Sequence, residues 1–265
     1  MFLTDQYKRL WMEDESWVKD EIELYDFGGL EIPFSAKWGS VCINLSGGAD
    51  SALVAAALCK IIQQNKFQAK VHAITLIKHW STKPWQNFIA EEVFNKLKSM
   101  FPEIIEDHHK SFLAPEMEHS EVGNIVDDKN ASTITHTSFN DFHCFFNEDV
   151  GAVFTGRTKN AEDLQDHPAR MEARDNPDEE RVVYPLEHSK TLVFSPILFK
   201  QKDWVVAQYF ENGWEDLFNT TRSCQGKIEN FDRTWKFKSG EHIPTCDKCY
   251  WCAERKWALG KINKS

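Results

Sequence analysis

Two groups of residues in this chain have types and spacings suited to chemistry. The first is the segment "SGGADS" at residues 46–51, which directly follows the apolar stretch "VCINL". Glycines let the backbone approach an anion closely, and serine hydroxyls and the N–H groups that begin a helix can donate hydrogen bonds to it. The segment therefore predicts a phosphate site between the end of a strand and the start of a helix.

Each residue of that segment has an expected task. Gly47 and Gly48 bring the backbone close to the phosphate oxygens, and Ser46 and Ser51 add hydroxyl donors. Asp50 is either a helix N-cap or a ligand of Mg²⁺. The segment lacks the lysine of a Walker A loop and the glycine spacing of a dinucleotide-binding turn. A tight, well-capped connection without a ligand is the alternative interpretation.

The second group consists of cysteines near the end of the chain. Cys246, Cys249 and Cys252 lie in "CDKCYWC", and Cys224 precedes them in "TTRSCQG". Four thiolates at such spacing can close a tetrahedral zinc site without an open position, which is typical of a structural metal. His242 is an alternative fourth ligand, and a redox dithiol or an iron–sulfur cluster is the alternative chemistry.

The remaining cysteines and the histidines are predicted to have no such role. His108 and His109 are adjacent, and His136 and His143 lack a nearby acidic residue, so all ten histidines are interpreted as surface or core residues. The other cysteines lie in apolar stretches and are expected to be ordinary buried thiols: Cys42, Cys59 and Cys144.

Composition limits the classes of partner. The 265 residues are 42% hydrophobic, which suffices for a sizeable core, and the net charge of −10 disfavours binding to nucleic acid. We find no apolar run long enough to cross a bilayer and no signal peptide, and therefore expect a soluble cytoplasmic protein with a small-molecule substrate. Ten tryptophans leave surface for a possible homodimer.

Alternating strand and helix patterns must position both groups. They predict an α/β fold with a parallel sheet and helices on both faces, in which ligands sit at the carboxyl ends of the strands. We expect loops at about 107–135 and at 169–190, and three regions: an extension (1–38), a nucleotide-binding domain (39–220) and a zinc-binding segment (221–265). The predicted strands are 41–46, 70–77, 151–156 and 191–199, and the predicted helices are 51–64, 85–100, 138–150 and 201–213.

Together the two groups resemble the 7-cyano-7-deazaguanine synthase family of the PP-loop, or N-type, ATP pyrophosphatases. "SGGADS" resembles the SGGxDS signature, and Ser223 with Cys224, followed by the cysteine triplet and Arg255, resembles the C-terminal motif of the family. Lys202 in "SPILFKQKDWVVAQYFENG" falls on the position of the family's lysine, and "VFTGRTKNAED" resembles its fourth strand and following loop. The resemblance covers roughly Val41 to Leu259.

The resemblance implies a five-stranded doubly wound sheet and a reaction that uses ATP, Mg²⁺ and Zn²⁺. In that reaction 7-carboxy-7-deazaguanine and ammonia become the nitrile through an acyl-adenylate and an amide. The implied catalytic residues are Asp50 and Lys202, and the implied substrate contacts are Arg157, Lys159 and Asp163. The implied nucleotide-binding residues are Leu45, Ser46, Gly47, Gly48, Asp50, Ser51, Ala52 and Leu53, and the implied zinc ligands are Cys224, Cys246, Cys249 and Cys252.

The chain also departs from the family. Asp247 stands where the family has glycine, the stretch before "CDKC" is longer, and the family's Tyr-Pro-Asp is not recognisable in "LQDHPARMEARDNP". A PP-loop enzyme that adenylates another carboxylate, a protein terminus or a tRNA base for thiolation is therefore the alternative. A thiolase would be expected to carry a basic RNA-binding region, which the net acidity argues against. A nucleotide-binding module without catalysis is the third interpretation.

Overall fold

The computed structural model describes residues 22–78, 86–113, 137, 139–147, 149–168, 170, 174–175, 177, 182–226 and 245–262. Its strands are β1 (Glu23–Phe27), β2 (Leu30–Phe34), β3 (Ser40–Asn44), β4 (Lys70–Lys78), β5 (Ile105–Leu113), β6 (Val150–Thr155), β7 (Val183–Pro185) and β8 (Leu192–Phe194). Its helices are α1 (Ala49–Asn65), α2 (Gln86–Met100), α3 (Lys202–Glu211), α4 (Glu215–Thr220) and α5 (Tyr250–Ile262). Residues 139–146 are also helical, and Glu162–Leu164 form a 3-10 turn.

The central sheet has six strands in the order β5-β4-β3-β6-β8-β7. Neighbouring strands from β5 to β8 run parallel, and only β7 pairs antiparallel with β8. The α/β prediction with five parallel strands is therefore confirmed, and β7 is an additional edge strand. The parallel order follows from the helices α1 and α2, which return the chain to the same end of the sheet.

Both faces of the sheet are covered, which explains why β3 consists almost entirely of buried residues. One face packs against α1 through side chains that include Val41, Ile43, Val71 and Ala73. The other face packs against helical residues 139–146 through Cys42, Ile74, Val153, Cys144 and Phe139. The doubly wound arrangement places the turn after β3 at the carboxyl edge of the sheet.

The structure corrects two predicted loops. β5 occupies residues that the sequence assigned to a loop beginning near Asp107, and β7 lies inside the predicted charged loop 169–190. Both are strands at the edges of the sheet, where polar side chains are tolerated because only part of each strand is buried. The charged and polar residues "EDHHK" therefore led to the prediction of a loop where the structure has the strand β5.

The predicted N-terminal extension contains the hairpin of β1 and β2, whose turn is formed by Gly28 and Gly29 at φ +59° and +73°. The ring of Phe34 stacks on Phe67 with centroids 5.2 Å apart, and Phe27 stacks on Trp214 at 5.9 Å. The hairpin thus belongs to the main core. In the described residues no helix is both long and apolar enough to cross a membrane.

Candidate functional site

The glycine loop, residues 46–51, connects β3 to α1 at the carboxyl edge of the sheet. The N–H of Leu45 donates to the carbonyl of Ile74 at 2.8 Å and prolongs the pairing with β4 up to the loop. The hydroxyl of Ser51 donates to the carbonyl of Gly48 and accepts from the N–H of Ser46, both at 3.2 Å. The serines therefore hold the loop closed around the first turn of α1, whose N–H groups lack helical partners.

The backbone at Gly47 is left-handed, with φ +75°. A Cβ atom at this position would lie 2.7 Å from Cγ2 of Ile89 and 2.9 Å from the backbone nitrogen of Ala90. Both neighbours belong to α2, so the loop is wedged against that helix. Only glycine meets the dihedral and the space requirement together.

We expect Gly47→Ala to destabilise the protein by about 3 kcal/mol, because left-handed strain adds to a clash with the backbone of α2. Gly213→Ala is the matched control, because Gly213 has φ +67° but open space around its missing Cβ. That variant should lose only about 1 kcal/mol. Urea denaturation of the two variants measures the difference, and equal losses would contradict the close packing.

Asp50 and Lys202 form a buried ion pair beside the glycine loop. Nζ of Lys202, whose side chain is 0% exposed, lies 2.5 Å from Oδ1 of Asp50. The other oxygen, Oδ2, has a longer contact of 3.4 Å with the hydroxyl of Thr158. Gly48, and not Asp50, occupies the N-cap position of α1. The N-cap interpretation of Asp50 is therefore wrong, and its carboxylate faces Lys202, the first residue of α3.

A second buried ion pair, missed by sequence reasoning, continues this network. Nη2 of Arg174 lies 2.8 Å from Oε1 of the fully buried Glu254 and 2.9 Å from the hydroxyl of Thr158. Burial raises the pKa of Glu254, while Lys202 and Arg174 oppose that shift. Oε2 of Glu254 and Nη1 of Arg174 are shielded from solvent without a hydrogen-bond partner in the described part of the chain. Unsatisfied buried groups of this kind are uncommon in folded proteins and accompany a bound water, an ion or a functional role.

The three other predicted nucleotide-binding residues, Leu45, Ala52 and Leu53, have side chains at most 1% exposed that face the core. They support the glycine loop through packing. Any contact of these residues with a nucleotide would have to come from the backbone.

A hydrogen-bonded chain behind the loop ends at His108. The hydroxyl of Thr75 donates to the carbonyl of Leu45 at 2.5 Å and lies 2.8 Å from Nε2 of His108. Because the single hydroxyl proton of Thr75 goes to Leu45, Nε2 of His108 must carry the proton that it donates to Thr75. Burial, together with the nearby charge of Lys110, lowers the pKa of His108 to about 4.

This pKa predicts a pH-dependent loss of stability. The unfolded chain takes up a proton at His108 near pH 6.5 and the folded chain only near pH 4. The contribution of this residue is thus complete above pH 6.5 and declines by about 3 kcal/mol as the pH falls to 4. In His108→Gln, urea denaturation at several pH values should show a decline smaller by that amount. An unchanged pH profile would contradict the assignment.

The four cysteines near the C-terminus converge, as predicted. Their sulfur atoms all lie within 4.8 Å of one another, and we call them the cysteine cluster: Cys224, Cys246, Cys249 and Cys252. Individual Sγ–Sγ distances are 3.5 Å, 3.9 Å and 4.0 Å. The backbone N–H groups of Cys246 and Gly226 lie 3.4 Å from the sulfur of Cys224 and orient it. This set of donors could hold a metal.

The turn between the first two cysteines of the triplet has a left-handed residue. Asp247 has φ +52°, at the position where the resembled family has glycine. Its carboxylate accepts a hydrogen bond from the hydroxyl of Thr245 at 2.8 Å, which holds this polar residue in a conformation that aspartate tolerates better than most. The departure from the family is therefore compatible with the same turn.

The cysteine cluster and the glycine loop are directly connected. The N–H of Arg222, two residues before Cys224, donates to the carbonyl of Gly47 at 2.9 Å. Arg255, which follows the triplet, donates to the carbonyl of Phe218 at 2.8 Å and to the hydroxyl of Thr221 at 2.9 Å. These hydrogen bonds connect the chain on either side of the cysteine cluster to the glycine loop and to the end of α4.

The predicted substrate residues lie in the segment after β6, and the structure gives them different surroundings. The exposed carboxylate of Asp163 accepts hydrogen bonds from Nε1 of Trp257 at 2.9 Å and from Lys261 at 2.7 Å, and so contacts α5. Arg157 is half-buried, and the backbone carbonyl of Lys159 accepts a 3.3 Å hydrogen bond from Arg174. Contact of Arg157, Lys159 and Asp163 with a substrate stays a prediction.

Comparison with known proteins returned structural matches only. No protein-family model and no curated protein sequence matches this chain. The U34-tRNA thiolase NcsA from Methanococcus maripaludis, solved with its [4Fe-4S] cluster, is similar at a TM-score of 0.45 and 11% identity over 85% of this chain and 64% of that one. The chain thus covers less than two thirds of the thiolase.

Two further structures have lower scores. The NAD⁺ synthetase from Burkholderia pseudomallei has a TM-score of 0.39 and 11% identity over 86% of this chain and 81% of that one. The phosphoadenylyl-sulfate reductase from Candida auris has a TM-score of 0.37 and 14% identity over 72% and 82%. Similarity at these levels assigns neither a family nor an activity.

Proposed function

We propose that this protein is an ATP-dependent enzyme that activates a carboxylate as an acyl-adenylate and forms a carbon–nitrogen bond. The observation that carries the proposal is the closed glycine loop at the carboxyl edge of a parallel sheet, with the buried pair of Asp50 and Lys202 beside it. A loop of this kind binds the phosphates of a nucleotide through backbone N–H groups. The same ion pair holds the ammonium group of Lys202 beside the loop.

Asp50 is suited to hold the Mg²⁺ that accompanies ATP. Oδ1 is engaged by Lys202, whereas Oδ2 has, among the residues that the structure describes, only the 3.4 Å contact with Thr158 and is available as an oxygen ligand. Magnesium binds in proteins through one or two carboxylates together with phosphate oxygens. When bound, the ion neutralises charge on the pyrophosphate.

The chemistry requires a leaving group on the acid. A carboxylate oxygen of the substrate attacks the α-phosphorus of ATP, pyrophosphate departs, and the resulting acyl-adenylate loses AMP when ammonia attacks. The amide oxygen then attacks the α-phosphorus of a second ATP, and pyrophosphate and one amide proton depart. The adenylated imidate that results loses AMP and its remaining N–H proton to give the nitrile. In these steps the glycine loop orients the nucleotide and Lys202 stabilises the negative charge that develops on the departing pyrophosphate.

We propose 7-carboxy-7-deazaguanine as the acid, on the basis of the family that the two motifs resemble. Cationic groups near the carboxyl edge, Arg157, Lys159 and Arg174, are of the type that binds a carboxylate. The shielded Nη1 of Arg174 and Oε2 of Glu254 together offer a donor and an acceptor, as recognition of a guanine-like edge requires.

We also propose that the cysteine cluster binds zinc as a structural ion. Tetrahedral coordination with zinc–sulfur bonds of about 2.3 Å separates sulfurs by about 3.8 Å. Three of the six sulfur–sulfur separations are 3.5–4.0 Å and all six lie within 4.8 Å, which supports a single ion at the centre. An iron–sulfur cluster binds its thiolates through different irons and so needs them farther apart. Metal analysis by mass spectrometry, with an absorption spectrum to detect iron–sulfur bands, tests this assignment.

The activity test uses the full chain with its metal, ATP, Mg²⁺, ammonia and 7-carboxy-7-deazaguanine. Mass spectrometry follows the amide, the nitrile, AMP and pyrophosphate. We expect the nitrile and two AMP per nitrile formed, and neither product with Asp50→Ala. ATP binding without amide or nitrile would reject the proposed acid, and absence of ATP binding would reject the whole proposal.

A further inference from the structure

A group of histidines meets on the face of the sheet opposite α1, far from the glycine loop in sequence. His109 on β5 is in register with Ile74 on β4, so it shares a face with His72, which lies two residues before Ile74. The rings of His72 and His109 have centroids 5.8 Å apart, and the ring of His143 lies 4.5 Å from that of His109. Three imidazoles therefore adjoin one another along this face.

A carboxylate completes the arrangement. Oδ2 of Asp107 lies 3.8 Å from Nδ1 of His72. One ligand atom from each of His72, Asp107 and His109 falls within 4.8 Å of the others. We call these three residues the histidine cluster. The side chain of Asp107 is 65% exposed, which leaves a path from solvent into the cluster.

An unsatisfied atom indicates that something binds here. Nδ1 of His72 is shielded from solvent and makes no hydrogen bond within the described residues. A shielded polar atom without a partner costs free energy, and proteins seldom leave one in place without a ligand or water.

We propose that His72, Asp107 and His109 form a second metal site that binds a divalent transition metal ion, separate from the cysteine cluster. Two imidazoles and a carboxylate are the ligands that zinc and nickel accept, whereas calcium and magnesium prefer oxygen alone. Bonds of about 2.1 Å to one ion place tetrahedral ligand atoms about 3.4 Å apart. Small side-chain rotations close the observed 3.8 Å to this value.

The ion would connect two neighbouring strands and attract further contacts. His143 in helical residues 139–146 adjoins His109, although it is outside the three residues whose ligand atoms lie within 4.8 Å of one another. Burial lowers the pKa of His72 and of His143, and the carboxylate of Asp149 opposes that shift in both, so a negative charge lies near the cluster. The cluster occupies the first halves of β4 and β5, whereas the glycine loop follows the carboxyl end of β3. The three proposed metal ligands are therefore distinct from the residues to which the proposed activity is assigned.

The experiment uses the full chain without a polyhistidine tag, after one equivalent of Zn²⁺ has been added to fill the cysteine cluster. Isothermal titration with Ni²⁺ is compared for the native protein, Asp107→Asn and His109→Gln. His188→Gln is the matched control, because its side chain is 71% exposed at another place on the surface. Thermal unfolding verifies that each variant is folded. Because the side chain of Asp107 is exposed, Asp107→Asn should fold and still test the site if His109→Gln does not fold.

We expect one further equivalent of Ni²⁺ in the native protein and in His188→Gln. Affinity should fall more than about 100-fold in Asp107→Asn and His109→Gln, because each loses a direct ligand. Co²⁺ bound at this site should show visible bands without the strong near-ultraviolet absorption of cobalt thiolates. No second equivalent, unchanged affinity in Asp107→Asn, or a thiolate-type cobalt spectrum would each overturn the proposal.

Discussion

Asp50→Asn is expected to abolish ATP turnover and to destabilise the protein, and the two effects should be separable. The amide cannot balance the charge of Lys202, whose Nζ lies 2.5 Å from Oδ1 in a fully buried position. An uncompensated buried charge costs about 3 kcal/mol, although Glu254 nearby offsets part of it. Loss of the carboxylate also removes the proposed magnesium ligand and should lower kcat by at least about 1000-fold.

The double variant Asp50→Asn with Lys202→Met distinguishes the two effects. Methionine has a similar length without a charge, so stability should return to within about 1 kcal/mol of the native value. Turnover should not return, because both catalytic groups are absent. Asp216→Asn is the control for loss of a carboxylate, since its side chain is 84% exposed in a surface ion pair with Lys96.

Urea denaturation and release of pyrophosphate measure these two quantities on the same preparations. Native turnover in Asp50→Asn would contradict the role of the carboxylate. If the double variant were no more stable than the single variant, the buried charge of Lys202 could not be the cause of the instability.

Removal of the metal from the cysteine cluster is expected to weaken nucleotide binding as well as stability. Metal coordination contributes on the order of 10 kcal/mol to folding in small zinc domains. Without the metal, the segment around the cysteine cluster should lose most of this stabilisation. The segment around Cys224 would then no longer hold the N–H of Arg222 at 2.9 Å from the carbonyl of Gly47. ATP affinity should fall at least tenfold, because the glycine loop loses this support.

Cys249→Ala tests this coupling without a chelator. Cys59→Ala is the matched control, because Cys59 is a buried free thiol in α1 outside the cluster and its truncation removes one sulfur from the core. We expect a loss of about 1 kcal/mol for Cys59→Ala and more than about 3 kcal/mol for Cys249→Ala. The metal content and the affinity for ATP are then measured for each variant. Full ATP affinity in metal-free Cys249→Ala would contradict the coupling.

Local patterns were enough to predict the parts of the site that are continuous in sequence. "SGGADS" after an apolar strand predicts the glycine loop, since glycine and serine at the start of a helix have few other uses together. The triplet "CDKCYWC" predicts a metal cluster because its spacing places three thiols within seven residues. The parallel sheet follows from strands that alternate with helices.

Tertiary packing decided which distant polar residues meet. Lys202 and Asp50 are far apart in sequence, and nothing local shows that the lysine is buried under the loop. Glu254 reads as an ordinary helical charge, and Arg174 as part of a solvated loop, until the two pair at 2.8 Å. Their burial depends on how α3 and α5 pack together, which no short segment encodes.

The same division applies to the edges of the sheet and to the histidines. The polar residues "EDHHK" led to the prediction of a loop where β5 lies, because an edge strand can carry such residues without an apolar pattern. No sequence pattern links His72 with His109, because parallel pairing joins residues that are distant in sequence. The sequence by itself therefore determined the glycine loop, the cysteine cluster and the parallel α/β architecture, whose signals are local. Only the tertiary structure decided the buried ion pairs and the histidine cluster, because long-range packing and strand register set their distances.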